Sequence, residues 1–415
     1  MDLTSSQLNK AAISGSLGMY LLVPLVGYIA DRFGVRLLSL CAGVFFGLGY
    51  FLAASAVEAT DRLDILIFGY FLIGIGTCTS YFSGLVSCVK IAGPNSPVLG
   101  VALPIALFGL SPFWIAQVAS SPLYRDKEVG GINVPFLFNS LSLLLFVVGG
   151  IGAFFLNPIH DPKPSHQSYP DDHETDEAAV NERTALVQQR GRSISVGSDS
   201  TFKHHRPFFA EWTLYAFALA IFINFGVGEM FINNLGTFIE TLPSSQISVS
   251  TGVSLLSLSS TVSRLSCGVL CEKFNKKIPL LLILVGCISP ISFFALAFIP
   301  ADLLVYSIYF FIVSIGAAYG GVFTIVPTLV SEIWGVTWFG RNWGILIWFS
   351  ALGTISFSQV FAWVYDTHAS DTLSKSCYGK ECYFTTFVLA GTASTFGVVL
   401  WLVVWHVGWK KKEWI

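Results

Sequence analysis

Three groups of polar residues in this chain have types and spacings that suit chemistry. Arg264 lies inside the apolar run "SSTVSRLSCGVL", where a guanidinium can hold a carboxylate through two parallel hydrogen bonds. A charge at the centre of a bilayer helix costs roughly 2.5–3.5 kcal/mol, so Arg264 should face protein or water rather than lipid. Glu229, in "FGVGEMFINNLG", is the one acid well inside an apolar run, with Asn233 one turn on and Asn234 next to it. These residues could line a cavity or carry a proton, and the flanking glycines suggest a broken helix whose freed backbone groups need partners. The third group is the knot "GYIADRFGVR", which sets Asp31, Arg32 and Arg36 between Gly27 and Gly34 and the apolar runs on either side.

Each group also has a plainer reading. Arg264 and Gly268 fit an R-x-x-x-G packing element, and Glu229 fits an acid at the membrane interface. The knot fits a tight turn whose arginines anchor the chain on one side of a membrane. That accounts for Arg32 and Arg36 but not for Asp31. A carboxylate near the C-terminal end of its own helix is disfavoured by the helix dipole, so Asp31 should be stabilised by the N-terminus of another helix. Tyr319, Tyr81, Asn224 and Gln117 are further polar residues inside apolar runs that are expected to line a path.

These groups must be held by membrane helices. The chain has 415 residues, 53% hydrophobic and only 12% charged, with a mean hydropathy of +0.68; soluble domains carry about 25% charged residues. A span needs about 20 apolar residues. The pattern predicts spans near 11–30, 37–56, 65–88, 98–120 and 134–156, then 210–232, 248–271, 278–299, 302–330, 344–366 and 384–408. Five precede and six follow a polar stretch, so the expected organisation is an N-terminal bundle over 1–156, a disordered linker over 157–209 and a C-terminal bundle over 210–415. Sixteen Lys and Arg residues fall on the side of the knot, the linker and the C-terminus, against Lys10, Arg62, Arg125, Lys127, Lys375 and Lys380 on the other. That bias puts the knot, the linker and the C-terminus in the cytosol. No removable signal peptide is seen, and the net charge of -2 points to no nucleic-acid partner.

The knot recurs. Gly27 to Arg36 aligns with Gly268 to Lys277 as G-x-x-x-acid-base-F-[G/N]-x-base, with Glu272 and Lys273 in the places of Asp31 and Arg32. "FLIGIG" at 71–76 matches "FIVSIG" at 311–316, and "SSQL" at 5–8 matches "SSQI" at 244–247, at nearly the same offset. The two halves are read as parallel repeats.

With two parallel helical halves, a polar central linker and G-x-x-x-D-R-x-G-x-R in the first knot, the chain resembles the major facilitator superfamily. "SSQLNKAAISGSLGMYL", "GEMFINNLGTFI" at 228–239 and "YGGVFTIVPTLVSEIWGVTWFGRNWG" at 319–344 resemble its fungal monocarboxylate-transporter-homologue group of vacuolar proteins, related to nodulin-like transporters. The resemblance implies an all-α polytopic fold of about 11 spans, five and six. In the second half a span precedes "SSQI", whereas only Met1 to Thr4 precede "SSQL". The first helix of the usual twelve is therefore expected to be absent, through a start at a downstream methionine or as a true eleven-span chain. In the former case a non-functional truncated transporter is an alternative.

The resemblance also assigns roles. Gly27, Asp31, Arg32, Gly34 and Arg36 would form a conformational lock with the start of a helix near Arg341 to Gly344. Gly268, Glu272 and Lys273 would mirror it against the span that begins after Pro97. Monocarboxylate porters have an arginine four residues before a glycine, as Arg264 stands to Gly268, but where they carry an aspartate one turn earlier this chain has Ser260. The implied function is alternating-access transport of a small organic solute, with a monocarboxylate as the candidate by analogy and protons as the candidate coupling ion. The vacuolar membrane is the expected location and the plasma membrane the alternative. A monomer in the lipid bilayer is expected, without cofactor or metal.

Cys377 and Cys382 are the two of eight cysteines outside the spans, on the non-cytosolic side. They suit a disulfide in an oxidising compartment or two free thiols. In the linker, Glu182 to Val187 resembles an acidic dileucine sorting signal, and Ser193 and Ser195 follow basic residues as in a kinase site. No P-loop for ATP is seen, and no catalytic acids or metal ligands recur at helical spacing. A non-transporting nutrient sensor remains the reading from another class.

Overall fold

The computed structural model describes residues 5–59, 62–92, 97–119, 121–124, 133–156, 208–242, 248–274, 277–369 and 377–410, as helices and short connections with no strand among them. The first half holds α1 (Ser5–Leu21), α2 (Val23–Arg32), α3 (Val35–Glu58), α4 (Leu63–Ala92), α5 (Pro97–Ala119) and α6 (Val134–Phe155). The second holds α7 (Trp212–Asn233), α8 (Leu235–Glu240), α9 (Val249–Lys273), α10 (Ile278–Gly286), α11 (Ile288–Phe298), α12 (Ala301–Trp334), α13 (Phe339–Ala369) and α14 (Phe384–Val403), which runs on into a wider turn at Val404–Trp409. Among the described residues nine helices are long and apolar enough to cross a membrane, or ten with the bent pair α1–α2 counted as one; within α5 the apolar helix is the shorter Gly100–Ser111. The linker expected over 157–209, apart from Phe208 and Phe209, and the "SSQI" element lie outside the described residues.

Helices occupy all eleven expected positions, with two kinds of difference. The first expected span is broken, bending by 40° between α1 and α2. Pro24 stands just inside α2; it has no N–H to offer the Tyr20 carbonyl four residues back, so the ladder of hydrogen bonds is interrupted there. The spans expected at 302–330 and 344–366 extend to Trp334 and over Phe339–Ala369. Hydropathy finds the apolar middle of a helix, whereas its polar ends continue with the same backbone geometry.

Packing repeats with the sequence. In the first half α4 packs on α1 and α3, and α3 on α6; in the second half α12 packs on α9, α10 and α11, and α11 on α14. Across the seam α2 packs on α13 and α5 on α9. The helices of both halves form one compact unit. One apolar core runs through it, from Val23, Phe82 and Val86 to Phe225, Val326 and Trp343. The outer face of α6 leaves Leu143, Leu144, Phe154 and Phe155 exposed, as suits a surface solvated by lipid.

Candidate functional site

At the α2–α13 crossing the backbones nearly touch, because a side-chain carbon on Gly27 would overlap the Gly340 carbonyl. That approach brings Asp31, whose side chain is fully buried, to the first turn of α13. The Arg341 amide donates to Asp31 Oδ2 at 2.7 Å, and Lys90 Nζ lies 3.5 Å from Oδ1. The carboxylate therefore meets the positive end of a helix from the other half and an ammonium from α4. Gly34 follows with φ of 90°, a left-handed conformation that favours glycine.

The other lock candidates are arranged differently. Arg32 is exposed and donates to the Tyr28 hydroxyl, while Arg36, also exposed, donates to the Leu156 carbonyl at the end of α6. The Arg341 guanidinium turns to Asn342 Oδ1 and the Trp338 ring, so Asp31 meets Arg341 through its amide alone. In the second knot Gly268 packs against Ala102 of α5, whereas Glu272 and Lys273 are exposed and Lys273 Nζ lies 5.9 Å from the Phe274 ring centre. The connection at 93–96 ahead of α5 lies outside the described residues.

A cavity of about 260 Å³ lies between the halves, lined from α4 by Cys78, Tyr81 and Phe82, from α5 by Phe108 and Gly109, and from α1 by Met19 and Tyr20. The second half contributes Glu229 and Asn233 from α7, Ser257, Ser260 and Arg264 from α9, Tyr319 and Phe323 from α12, and Ser350 from α13. It is smaller than drug-sized pockets of roughly 300–1,000 Å³, which suits a small ligand.

Arg264 is 5% exposed. Its Nη1 donates to the Ile105 carbonyl at 2.7 Å, and its guanidinium carbon lies 5.0 Å from the Phe323 ring centre and 5.9 Å from that of Tyr319. A side-chain carbon on Gly109 would come within 2.8 Å of Nη1, so this glycine makes the room. Nε is buried without a hydrogen-bond partner. Among the described residues no acid is in ion-pair contact with Arg264.

Glu229 faces the same cavity within a ring of hydroxyls. Tyr319 lies 3.0 Å from Oε1, and Thr354 and Tyr20 lie 2.8 and 3.2 Å from Oε2. Tyr20 reaches it from the first half. Asn233 lines the cavity, but Asn234 turns back to the Met230 carbonyl at 2.8 Å. The break expected near Glu229 falls at Asn234, between α7 and α8; Gly226 instead serves close packing on Gly353 and Gly228 on Tyr319. Tyr81 accepts from Trp343 Nε1 at 3.2 Å across the seam. Asn224 bonds to the Ala220 carbonyl and packs on Gly397, and the Gln117 side chain lies outside the described residues. Cys377 and Cys382 are joined by a disulfide, Cα atoms 5.9 Å apart. Their loop is tied to the end of α8 through Gly379 N–H and the Thr241 carbonyl at 2.9 Å. Among the described residues no cluster of three or more His, Cys, Asp or Glu could hold a metal.

Sequence reading missed Lys90, Tyr20 and Thr354 as partners. The available signal for Lys90 is that the lysine and arginine pattern puts it on the same side of the membrane as Asp31. Tyr20 and Thr354 stand 209 and 125 positions from Glu229, and no local pattern marks them.

A family model described as Major Facilitator Superfamily matches residues 1–358. The chain belongs to this superfamily. Relatives include a protein named probable transporter MCH1 from Debaryomyces hansenii, 30% identical, with 98% of this chain and 85% of that one covered. Another, probable transporter mch1 from Emericella nidulans, is 26% identical with 99% and 82% covered. Among solved structures, the human organic anion transporter MFSD10 aligns with a TM-score of 0.63 at 15% identity, over 95% of this chain and 83% of that one. The proton:xylose symporter XylE aligns at 0.61 and 17% identity, over 97% and 87%. At such identities these neighbours show the fold alone: this chain is an all-α, multi-pass integral membrane protein with the major facilitator fold.

Proposed function

We propose that this major facilitator protein is a secondary transporter that moves a small carboxylate-bearing organic solute by alternating access, with protons as the coupling ion. The observation that carries the reading is Arg264, a buried guanidinium beside a small cavity, with an unpartnered Nε and no acid in contact. Such a group is costly in a membrane unless protein, water or a ligand completes it, and the cavity leaves its free N–H open to a ligand anion. A monocarboxylate fits the cavity volume, and the relatives' names are consistent with a transporter.

We read the chain as two bundles, 1–156 and 210–415, joined by the cytosolic linker 157–209. Lysine and arginine counts support that orientation, and the vacuolar membrane follows from the subgroup resemblance alone. Asp31, with Lys90 and the first turn of α13, is read as a contact that holds the knot side closed and parts when the halves rock. The test is uptake of radiolabelled lactate, pyruvate and amino acids into vesicles containing the full chain or Arg264→Gln. Uptake of at least one carboxylate, with an affinity that Arg264→Gln weakens sharply, is expected. Flat uptake by the unaltered protein, together with a solute-induced rise in melting temperature, would instead favour a sensor.

A further inference from the structure

Thr354 has one hydroxyl hydrogen and two neighbours that ask for it. Its Oγ1 lies 2.8 Å from Glu229 Oε2 and 3.0 Å from the Ser350 carbonyl. The carbonyl can only accept, whereas a carboxyl accepts when ionised and donates when protonated. When Glu229 is ionised, Thr354 turns its hydrogen to Oε2. When Glu229 is protonated, its O–H donates to Thr354, which turns its own hydrogen to Ser350. Both states are satisfied without moving a heavy atom.

We propose that Glu229 is a proton-carrying site of this protein, with Thr354 as the hydroxyl that reverses its hydrogen bond and Tyr20 as the contact across the seam that reports the state. This deepens the transport reading above and rests on it for the proton's use, but not for its binding. One proton comes from water on one side of the membrane and forms an O–H bond at Oε2. The same bond breaks when the proton leaves to water on the other side. Tyr20 lies 3.2 Å from that same oxygen, and a protonated oxygen is a weaker acceptor than a carboxylate. Uptake of the proton thereby loosens a bond between the first half and the second.

The groups that face Glu229 from the surrounding helices suit a switch. Tyr20 comes from α1 and Tyr319 from α12, while Arg264 on α9 and Tyr81 and Cys78 on α4 share the cavity. Apart from Arg264, which is not in ion-pair contact, none is charged at neutral pH. The partners in hydrogen-bond contact are all hydroxyls, able to donate or accept, so either state of Glu229 finds partners among them.

The test is infrared difference spectroscopy on the full chain in lipid nanodiscs, titrated in pH without solute. A protonated-carboxyl band that comes and goes with pH is expected, absent in Glu229→Gln, displaced in Thr354→Val and restored by Thr354→Ser. Size-exclusion profiles check that the variants fold. No titrating band, a band that persists in Glu229→Gln, or identical spectra for Thr354→Val and Thr354→Ser would overturn the proposal. In vesicles, a pH profile of uptake that Glu229→Gln makes flat supports it, and an unaltered profile overturns it. If the protein takes up no solute, the transport reading falls while the infrared titration still decides this one.

Discussion

Two carboxylates cross the seam between the halves in opposite directions, and they are held by different kinds of partner. Asp31 leaves the first half for a backbone amide of α13, with an ammonium alongside. Glu229 leaves the second half for a tyrosine of α1, within a ring of hydroxyls. An amide and an ammonium can only donate, so they favour one charge state and one geometry. Hydroxyls donate or accept, so they tolerate either state. The knot thus holds an acid among donors that suit its ionised form, and the cavity holds an acid whose partners suit either form.

The comparison can be broken at four places, in falling order of effect. Arg264→Gln removes the cation that no acid of the cavity touches directly. Loss of two charge-assisted hydrogen bonds at about 1.5 kcal/mol each predicts a roughly hundredfold weaker solute affinity, read from the concentration dependence of uptake. Uptake that depends on concentration as in the unaltered protein would remove Arg264 from the site. Lys90→Met comes next, because it leaves Asp31 buried with its charge uncompensated. Breaking such a pair costs about 3 kcal/mol, so the melting temperature in detergent should fall further than for Asp31→Asn.

Asp31→Asn is milder. An amide oxygen can still accept from Arg341, and Lys90 can extend its head to water. The expected result is a shift of about tenfold between inward- and outward-facing populations, or about 1.4 kcal/mol, seen as altered cysteine accessibility with insertion intact. Unchanged accessibility would reduce the knot to a membrane anchor. Arg32→Gln should be nearly silent in the same assay, since the described partners of Arg32 are its near neighbours Tyr28 and Phe33. An effect equal to that of Asp31→Asn would erase the distinction between the acid and the arginine beside it.

The sequence carried much of this fold. Apolar runs mark the helices, and the repeated knot makes α2 and α9 equivalent elements of the two halves. The helix dipole also directs Asp31 to the N-terminus of another helix, and the Arg341 amide at the first turn of α13 meets it. The partners of Glu229 were not legible, because Tyr20 and Thr354 reach it only through tertiary packing of three helices. Nor was the second knot: the repeat predicts that Glu272 mirrors Asp31 against the span after Pro97, and Glu272 is exposed where the Asp31 side chain is buried. Similar residue spacing fixes the turn and the close glycine contact, at Gly268 as at Gly27, while burial of the acid depends on what the opposing helix offers.

The bend at Pro24 has a mechanical consequence. Tyr20 lies just before it and Asp31 eleven residues later, a separation of about 16 Å along the helical path. Each touches the second half, one at the cavity and one at the knot. A single elbowed rod therefore rests on the opposite half at two points, one on each side of its joint. A change in the angle of that elbow would move one contact relative to the other.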